Sequence, residues 1–263
     1  MNIQPITSYR TNCSSSPTFQ SCIKIYNPQK LANADIFSGK GVRTTSNLFR
    51  NDLDWDYLMK QILLSFMDKK AINIYSLGCS DGSEPYSYAL YIKDRMPEQI
   101  HKKFAPIIAC DIDSEMIKIA KSGKINLSCD DFLNMRKYLN NVSKYFKEID
   151  KPIKIRNNII VDESGYEIAP QIKNMVKFKK SDILTELDKI NDEGNSVINI
   201  RNVFPYLSEN YINKILETLS AKTKPGSIFV FGNFDNRIPN FKNKLADLGF
   251  SSFDTNCNFV QKQ

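Results

Sequence analysis

Residues Ser76 to Ser87 read SLGCSDGSEPYS, and their types and spacing suit the gripping of a small ligand. Gly78 and Gly82 let the chain turn sharply and bring its backbone close to a bound molecule. Glu84 and Pro85 then open a helical pattern whose apolar face continues through Tyr88, Ala89 and Ile92. The spacing is Gly-x-x-x-Gly, which is not the dinucleotide fingerprint. A carboxylate at Glu84, near the helix start, would repel a pyrophosphate and welcome an ammonium group. The chemistry favours an amino-acid-bearing cofactor, and S-adenosylmethionine meets that description. A glycine turn alone also fits an ordinary strand-to-helix connection.

The next stretch supplies a second acid. Pro106 to Cys110, PIIAC, is a short apolar run that ends at Asp111, and Ser114 starts a helical pattern with Met116, Ile117 and Ala120 on one face. In a doubly wound sheet, an acid at the end of the second strand is placed to accept hydrogen bonds from ribose hydroxyls. Asp111 sits at that strand end, whereas Asp113 is placed to cap the following helix.

The elements that must position these groups follow the same patterns. Trp55 to Met67 is amphipathic, with Leu58, Ile62, Leu63 and Phe66 on one side, and precedes a first strand at Ile72 to Leu77. Phe132 to Phe146 reads as helical and aromatic-rich. Lys154 to Glu167 contains short strand-like runs around an Asn-Asn pair and a Gly, which predicts a small β excursion over about 154–167. Val176 to Phe178, Val197 to Ile200 and Ser227 to Gly232 read as strands, Glu209 to Leu219 and Phe241 to Leu248 as helices, and a last strand falls near Phe259. Residues 1–43 form a polar N-terminal segment, expected to be partly disordered or wrapped on the surface, and 44–263 form the folded domain.

A chain of 263 residues with 41% hydrophobic residues can bury the core of one large α/β domain with appendages. No run of 18 apolar residues and no signal-peptide core near Met1 is present, so a soluble cytoplasmic protein without membrane insertion is expected. Cys13, Cys22, Cys79, Cys110, Cys129 and Cys257 lack metal-ligand spacing, which favours buried reduced thiols over disulfides or zinc; no metal is expected. The net charge of +7 comes from lysines spread along the chain, which reads as a solvated surface. Nucleic acid is not an expected partner, and an acidic protein partner is compatible.

Four segments together resemble the CheR-type chemotaxis receptor (protein-glutamate) methyltransferase family. TTSNLFRNDLDW is similar to the family's FFR segment, SLGCSDGSEPYS to its cofactor loop, ACDIDSEMIKIAKSG to its ribose-binding strand end, and INIRNVFPYLS to its RNV-x-x-Y-F motif, in the family's order and from about Thr44 onward. The chain departs from the pattern at Leu48-Phe49, Ser83, Pro205 and Leu207. Gly232-Asn233-Phe234-Asp235 stands where the family has a Gly-His-Ser-Glu segment, and the family's helical N-terminal domain is expected to be shortened or lost. The excursion at 154–167 falls where the family has a receptor-docking β subdomain, and an ordinary surface hairpin fits it equally.

The resemblance implies a class I S-adenosylmethionine-dependent methyltransferase fold, α/β, with a Rossmann-like doubly wound, mostly parallel sheet and a small β excursion. It implies that S-adenosyl-L-methionine is the cofactor, with S-adenosyl-L-homocysteine as product. Glu84 would take the cofactor's amino group, Asp111 the ribose, and Asp182 with Ile183 the adenine side. Ser46, Gly78, Arg201 and Asn202 would complete the pocket. Arg50 and Tyr206 would lie beside the reacting methyl group as catalytic residues, Arg50 also touching the cofactor. The implied substrate is a protein glutamate, on a chemoreceptor cytoplasmic region.

The residues suit this chemistry. A glutamate side chain, with an unperturbed pKa of about 4.3, is already ionised at neutral pH, so no general base is needed. The task is alignment of carboxylate oxygen, methyl carbon and sulfonium sulfur, with water excluded. Arg50 can hold a carboxylate with its planar fork, and Tyr206 can offer a ring face or hydroxyl to the sulfonium region. The alternatives are an ion pair of Arg50 with Asp52 or Asp54, and a packed loop aromatic at Tyr206. At the level of function they are a non-catalytic S-adenosylmethionine-binding or partner-docking module, or a methyltransferase acting on another protein or a small molecule.

Overall fold

A computed structural model describes residues 25–26, 42–43, 46–104, 106–149, 164–254 and 256–263. Two short strands, β1 (Ile25–Tyr26) and β2 (Val42–Arg43), pair antiparallel. The amphipathic segment forms α1 (Trp55–Ser65), whose N-terminus Asp54 caps by accepting from Tyr57 N at 3.0 Å. There follow β3 (Asn73–Leu77), α2 (Ser83–Arg95), the one-turn α3 (Glu98–His101), β4 (Ile107–Asp111) and α4 (Ser114–Ser122). Asp113 caps α4, accepting from Glu115 N at 2.8 Å, as its position in the sequence predicts.

The chain then leaves the central sheet through β5 (Lys124–Leu127), α5 (Cys129–Tyr138), β6 (Phe146–Ile149) and β7 (Ser164–Ile168). It returns through α6 (Pro170–Lys173), β8 (Val176–Lys180), α7 (Ile183–Leu187), β9 (Ser196–Asn199), α8 (Glu209–Lys222), β10 (Ile228–Val230), α9 (Phe241–Asp247), β11 (Phe250–Ser252) and β12 (Phe259–Lys262).

Seven strands form the central sheet in the order β11-β12-β10-β9-β3-β4-β8. From β10 to β8 every neighbouring pair is parallel, and β12 runs antiparallel to both β10 and β11. Burial explains why the central strands read as apolar runs. In β9, Val197 enters one core cluster and Ile198 the other, and in β10 Phe229 faces opposite to Ile228 and Val230. Both faces are therefore covered by helices, as parallel sheets require. After β3 the chain builds outward to β4 and β8, then crosses back to β9 and β10 on the other side. That reversal opens a crevice outside the strands' carboxyl ends, where ligands of such sheets bind.

The helical reading of Phe132 to Phe146 is too long. Helix α5 ends at Tyr138, and Phe146 already belongs to β6. A distant contact stops it: Asn140 Nδ2 donates to Asp94 O at 3.3 Å, and Asn140 N donates to the Asp94 carboxylate, which draws the chain to the end of α2. Of the β excursion over 154–167, residues 154–163 lie outside the described residues, while Ser164 to Glu167 fall in β7. That strand is the middle of an antiparallel sheet, β5-β7-β6, so residues from 124 onward join what the sequence presented as a local feature. No helix among the described residues is long and apolar enough to cross a membrane.

Candidate active site

The turn after β3 is tied to the end of β4. Gly78 N and Cys79 N both donate to Cys110 O, at 2.8 and 2.9 Å, and Ser80 N donates to Asp111 Oδ2 at 2.8 Å. Gly82 ends the turn at φ +88°, a left-handed conformation that side chains disfavour, and an added Cβ would stand 2.9 Å from Phe178 Cζ. Glycine here lets the start of α2 seat against β8. Glu84 lies in the first turn of α2, where the helix dipole favours a carboxylate. Its Oε1 accepts from Ser76 Oγ at 2.7 Å and its Oε2 from Arg201 Nη1 at 3.0 Å.

Asp111 closes β4, with Oδ2 taking Ser80 N and Oδ1 taking Asp113 N at 2.8 Å. Burial pushes its pKa up to about 6, against the pull of these two amides. One strand over, Asp182 caps α7 by accepting from Leu184 N at 2.9 Å, and the Tyr211 hydroxyl donates to its other oxygen. Ile183 follows, buried. Glu84, Asp111 and Asp182 thus lie along the carboxyl ends of β3, β4 and β8. Three acceptors in that line fit an ammonium, a ribose diol and an exocyclic amine, and each carboxylate oxygen can accept beyond the single bond described for it.

A pH dependence follows from Asp111. Hydroxyl donors favour its ionised form, so ligand affinity should fall by roughly tenfold per pH unit below about 6 and level off above. In the free protein the sign is opposite. The raised pKa means Asp111 contributes stability at low pH that is lost as pH rises toward 6. Calorimetric titration with S-adenosylhomocysteine from pH 5 to 8 reads the first effect. Asp111→Asn should flatten the profile, and a wild-type affinity constant down to pH 5 would refute the role.

The opposite wall comes from the segment before α1. Phe49 takes φ +48° while fully buried; its N donates to Ser87 Oγ at 2.8 Å, and its ring meets Trp55 and Tyr138 at centroid distances of 5.2 and 5.5 Å. This anchor fixes Arg50, the next residue, against α2. Burial lowers the Arg50 pKa, with the nearby Arg201 cation adding to the effect and Asp52, Glu84 and Asp81 opposing it. Ser46 is half-buried on the approach to this turn.

Arg201 and Asn202 follow β9. Arg201 donates through Nη2 to Asp52 and through Nη1 to Glu84, with its side chain 3% exposed. Burial opposes its charge, yet the two carboxylates hold its pKa above the ordinary value. Asn202, at φ +57°, donates from Nδ2 to Asp52 Oδ2 at 3.0 Å, and its Oδ1 accepts from Phe234 N at 3.0 Å. Tyr206 is half-buried in the 3-10 turn Phe204–Tyr206, with its N donating to Val203 O at 3.1 Å.

The structure therefore joins Glu84, Arg201 and Asn202 through one network, sets Arg50 in its field, and places Asp111, Asp182 and Ile183 along the neighbouring strand ends. Ser46 and Tyr206 sit on flanking segments. Sequence reasoning assigned no site role to Ser76 or Asp235 and treated Asp52 only as an ion-pair partner for Arg50. Asp52 pairs with Arg201 while its charge also acts on Arg50, and Asp54 caps α1. The signal available was an acid two residues after an arginine, which is too common to be specific. Among the described residues Cys79, Cys110 and Cys257 are free thiols, the first two buried.

A doubly wound sheet with this strand order, and carboxylates along the ends of its first three strands in sequence to join the parallel array, defines a Rossmann-like S-adenosylmethionine-dependent methyltransferase fold. More specifically, residues 44–252 match the CheR methyltransferase, SAM binding domain, and the chain belongs to that family. S-adenosylmethionine is accordingly the cofactor of this domain.

The chain is 27% identical over 191 residues to a chemotaxis protein methyltransferase of Borreliella burgdorferi, covering 70% of this chain and 62% of the relative. It is 23% identical over 189 residues to that of Listeria innocua, covering 71% and 63%. The chain thus spans a little under two thirds of these relatives' length. Among solved structures, a TehB-like SAM-dependent methyltransferase from Corynebacterium glutamicum is 12% identical with a TM-score of 0.40, covering 79% of this chain and 91% of that one.

Proposed function

We propose that this chain transfers a methyl group from S-adenosylmethionine to glutamate side-chain carboxylates of a protein, the cytoplasmic region of a chemoreceptor being the acceptor that the relatives' chemotaxis name suggests. The observation that carries the reading is a half-buried guanidinium, Arg50, set beside α2 by the Phe49 N to Ser87 Oγ bond and in the field of the cofactor-site carboxylate Glu84. An ionised acceptor needs a cation to hold it and no base to activate it. The single histidine fits this economy, since His101 Nε2 lies 2.8 Å from Met96 O and serves the connection after α2.

When bound, the cofactor supplies an electrophilic methyl group on a sulfonium. Glu84 holds its ammonium group, Asp111 the ribose hydroxyls, and Asp182 with Ile183 the adenine edge. Ser46, Gly78, Arg201 and Asn202 line and close the pocket. Arg50 would hold the acceptor carboxylate for attack on the methyl carbon, and Tyr206 would offer its ring or hydroxyl to the sulfonium. Water is excluded by the buried Leu48-Phe49 turn.

The test is transfer of label from methyl-labelled S-adenosylmethionine to a chemoreceptor cytoplasmic fragment, followed by mild base. A glutamyl methyl ester releases methanol and vanishes when the acceptor glutamates are changed to alanine. Base-stable label would move the acceptor to another chemical class, and binding of the cofactor with no transfer to any acceptor would leave a binding module.

A further inference from the structure

Glu84 is not an isolated carboxylate waiting for a cation, because Arg201 already touches it. Arg201 reaches Glu84 with one nitrogen only, Nη1 to Oε2 at 3.0 Å, because its other terminal nitrogen is turned to Asp52. Asp52 is well placed to hold that split. Its side chain is 8% exposed, its Oδ2 accepts from Asn202 Nδ2 at 3.0 Å and Asn233 N at 3.3 Å, and its backbone oxygen accepts from Asn258 Nδ2 at 2.6 Å. The carboxylate is thus fixed by segments following β9 and β10, and its residue by the segment just before β12. The Arg201 Nε has no hydrogen-bond partner and the guanidinium stands 5.7 Å from the Trp55 ring, so nothing else described fixes its orientation.

We propose that Asp52 is a positioning residue of the cofactor site: by holding one arm of Arg201, it keeps Glu84 open to the ammonium group of the cofactor. This rests on the reading of Glu84 given above. An arginine facing a single carboxylate takes it with both arms, in two parallel hydrogen bonds. Without the Asp52 charge, Arg201 has only Glu84 to pair with and occupies both of its oxygens. The balance of charge moves the same way. Arg50 lies in the field of Asp52, Glu84 and Asp81 and Arg201 in that of Asp52 and Glu84, and removing the shared Asp52 charge leaves the pocket less receptive to a further cation.

The prediction separates ligands by their amino-acid arm. S-adenosylhomocysteine carries an amino-acid arm with both the ammonium and a carboxylate, whereas 5′-methylthioadenosine has the same adenosine and thioether without that arm. The decarboxylated analogue of S-adenosylhomocysteine, which keeps the ammonium alone, should weaken as S-adenosylhomocysteine does. In Asp52→Asn, the dissociation constant of S-adenosylhomocysteine should rise by about tenfold or more, the size expected for loss of a buried charged partner, while that of 5′-methylthioadenosine stays within about twofold. Asp52→Glu, which keeps the charge, should restore most of the difference. Asp52→Ser carries the same prediction should the asparagine variant fail to fold, which thermal denaturation reports. Equal weakening of both ligands would reduce Asp52 to a structural brace, and unchanged S-adenosylhomocysteine binding would also overturn the assignment. A wild-type protein that binds neither ligand would instead remove the cofactor reading on which the assignment stands.

Discussion

Arg50→Ala should lower methyl transfer to a protein carboxylate by a factor on the order of 10²–10³ while S-adenosylhomocysteine still binds, held by Glu84, Asp111 and Asp182. The size follows from what the reaction requires. No proton is moved and no covalent enzyme intermediate is formed, so the rate depends on holding a carboxylate oxygen in line with the methyl carbon. A guanidinium does this with two parallel bonds from a half-buried position, and an alanine leaves the acceptor untethered. Lysine keeps the charge but not the fork, so Arg50→Lys should recover only part of the loss. The loss should appear in kcat, with the KM for S-adenosylmethionine little changed. A turnover within a few fold of wild type would remove Arg50 from the chemistry. Parallel loss of cofactor binding would make it a cofactor ligand only.

What the sequence disclosed and what it hid divide by range. The apolar runs of β3, β4, β9 and β10 are legible because both of their faces are buried, and α2 and α4 are legible from local signals, Glu84-Pro85 after a glycine and Asp113 before its helix. Lys124–Leu127 and Phe146–Ile149 are not, because each is half polar and becomes a strand only by pairing with Ser164–Ile168. The motif residues Glu84, Asp111 and Arg50 carry local sequence signatures. The pairing of Arg201 with Asp52 spans 149 residues, and no local pattern encodes it. Asp52 and Asp235 read as ordinary loop acids, and only the approach of separate loops buries them.

Asp235→Ala should destabilise the fold by about 3–5 kcal/mol, a large share of the stability of a single domain. Asp235 is fully buried, and its carboxylate accepts from Gly232 N and Asn202 N at 2.7 Å each and from Phe204 N at 3.2 Å. Each buried amide left without a partner costs about 1–3 kcal/mol, and the three losses are not fully additive because the loops can relax. Asn202 is held in the left-handed region by this contact, and a Cβ at Gly232 would overlap its side chain, so the two loops have little freedom to find other partners. Burial also pushes the Asp235 pKa up to about 7 against these amides. The stability that its protonation contributes is therefore present at low pH and lost as pH rises through about 7. Urea unfolding of wild type and Asp235→Ala at pH 6 and pH 8 should show a narrower gap at pH 8, and a gap below about 1 kcal/mol at both would refute the brace. The consequence reaches the site, because the loops Asp235 joins carry Arg201, Asn202 and Tyr206. At temperatures where Asp235→Ala remains folded, its affinity for S-adenosylhomocysteine should fall with the loosened pocket wall, and an affinity equal to wild type would confine Asp235 to stability.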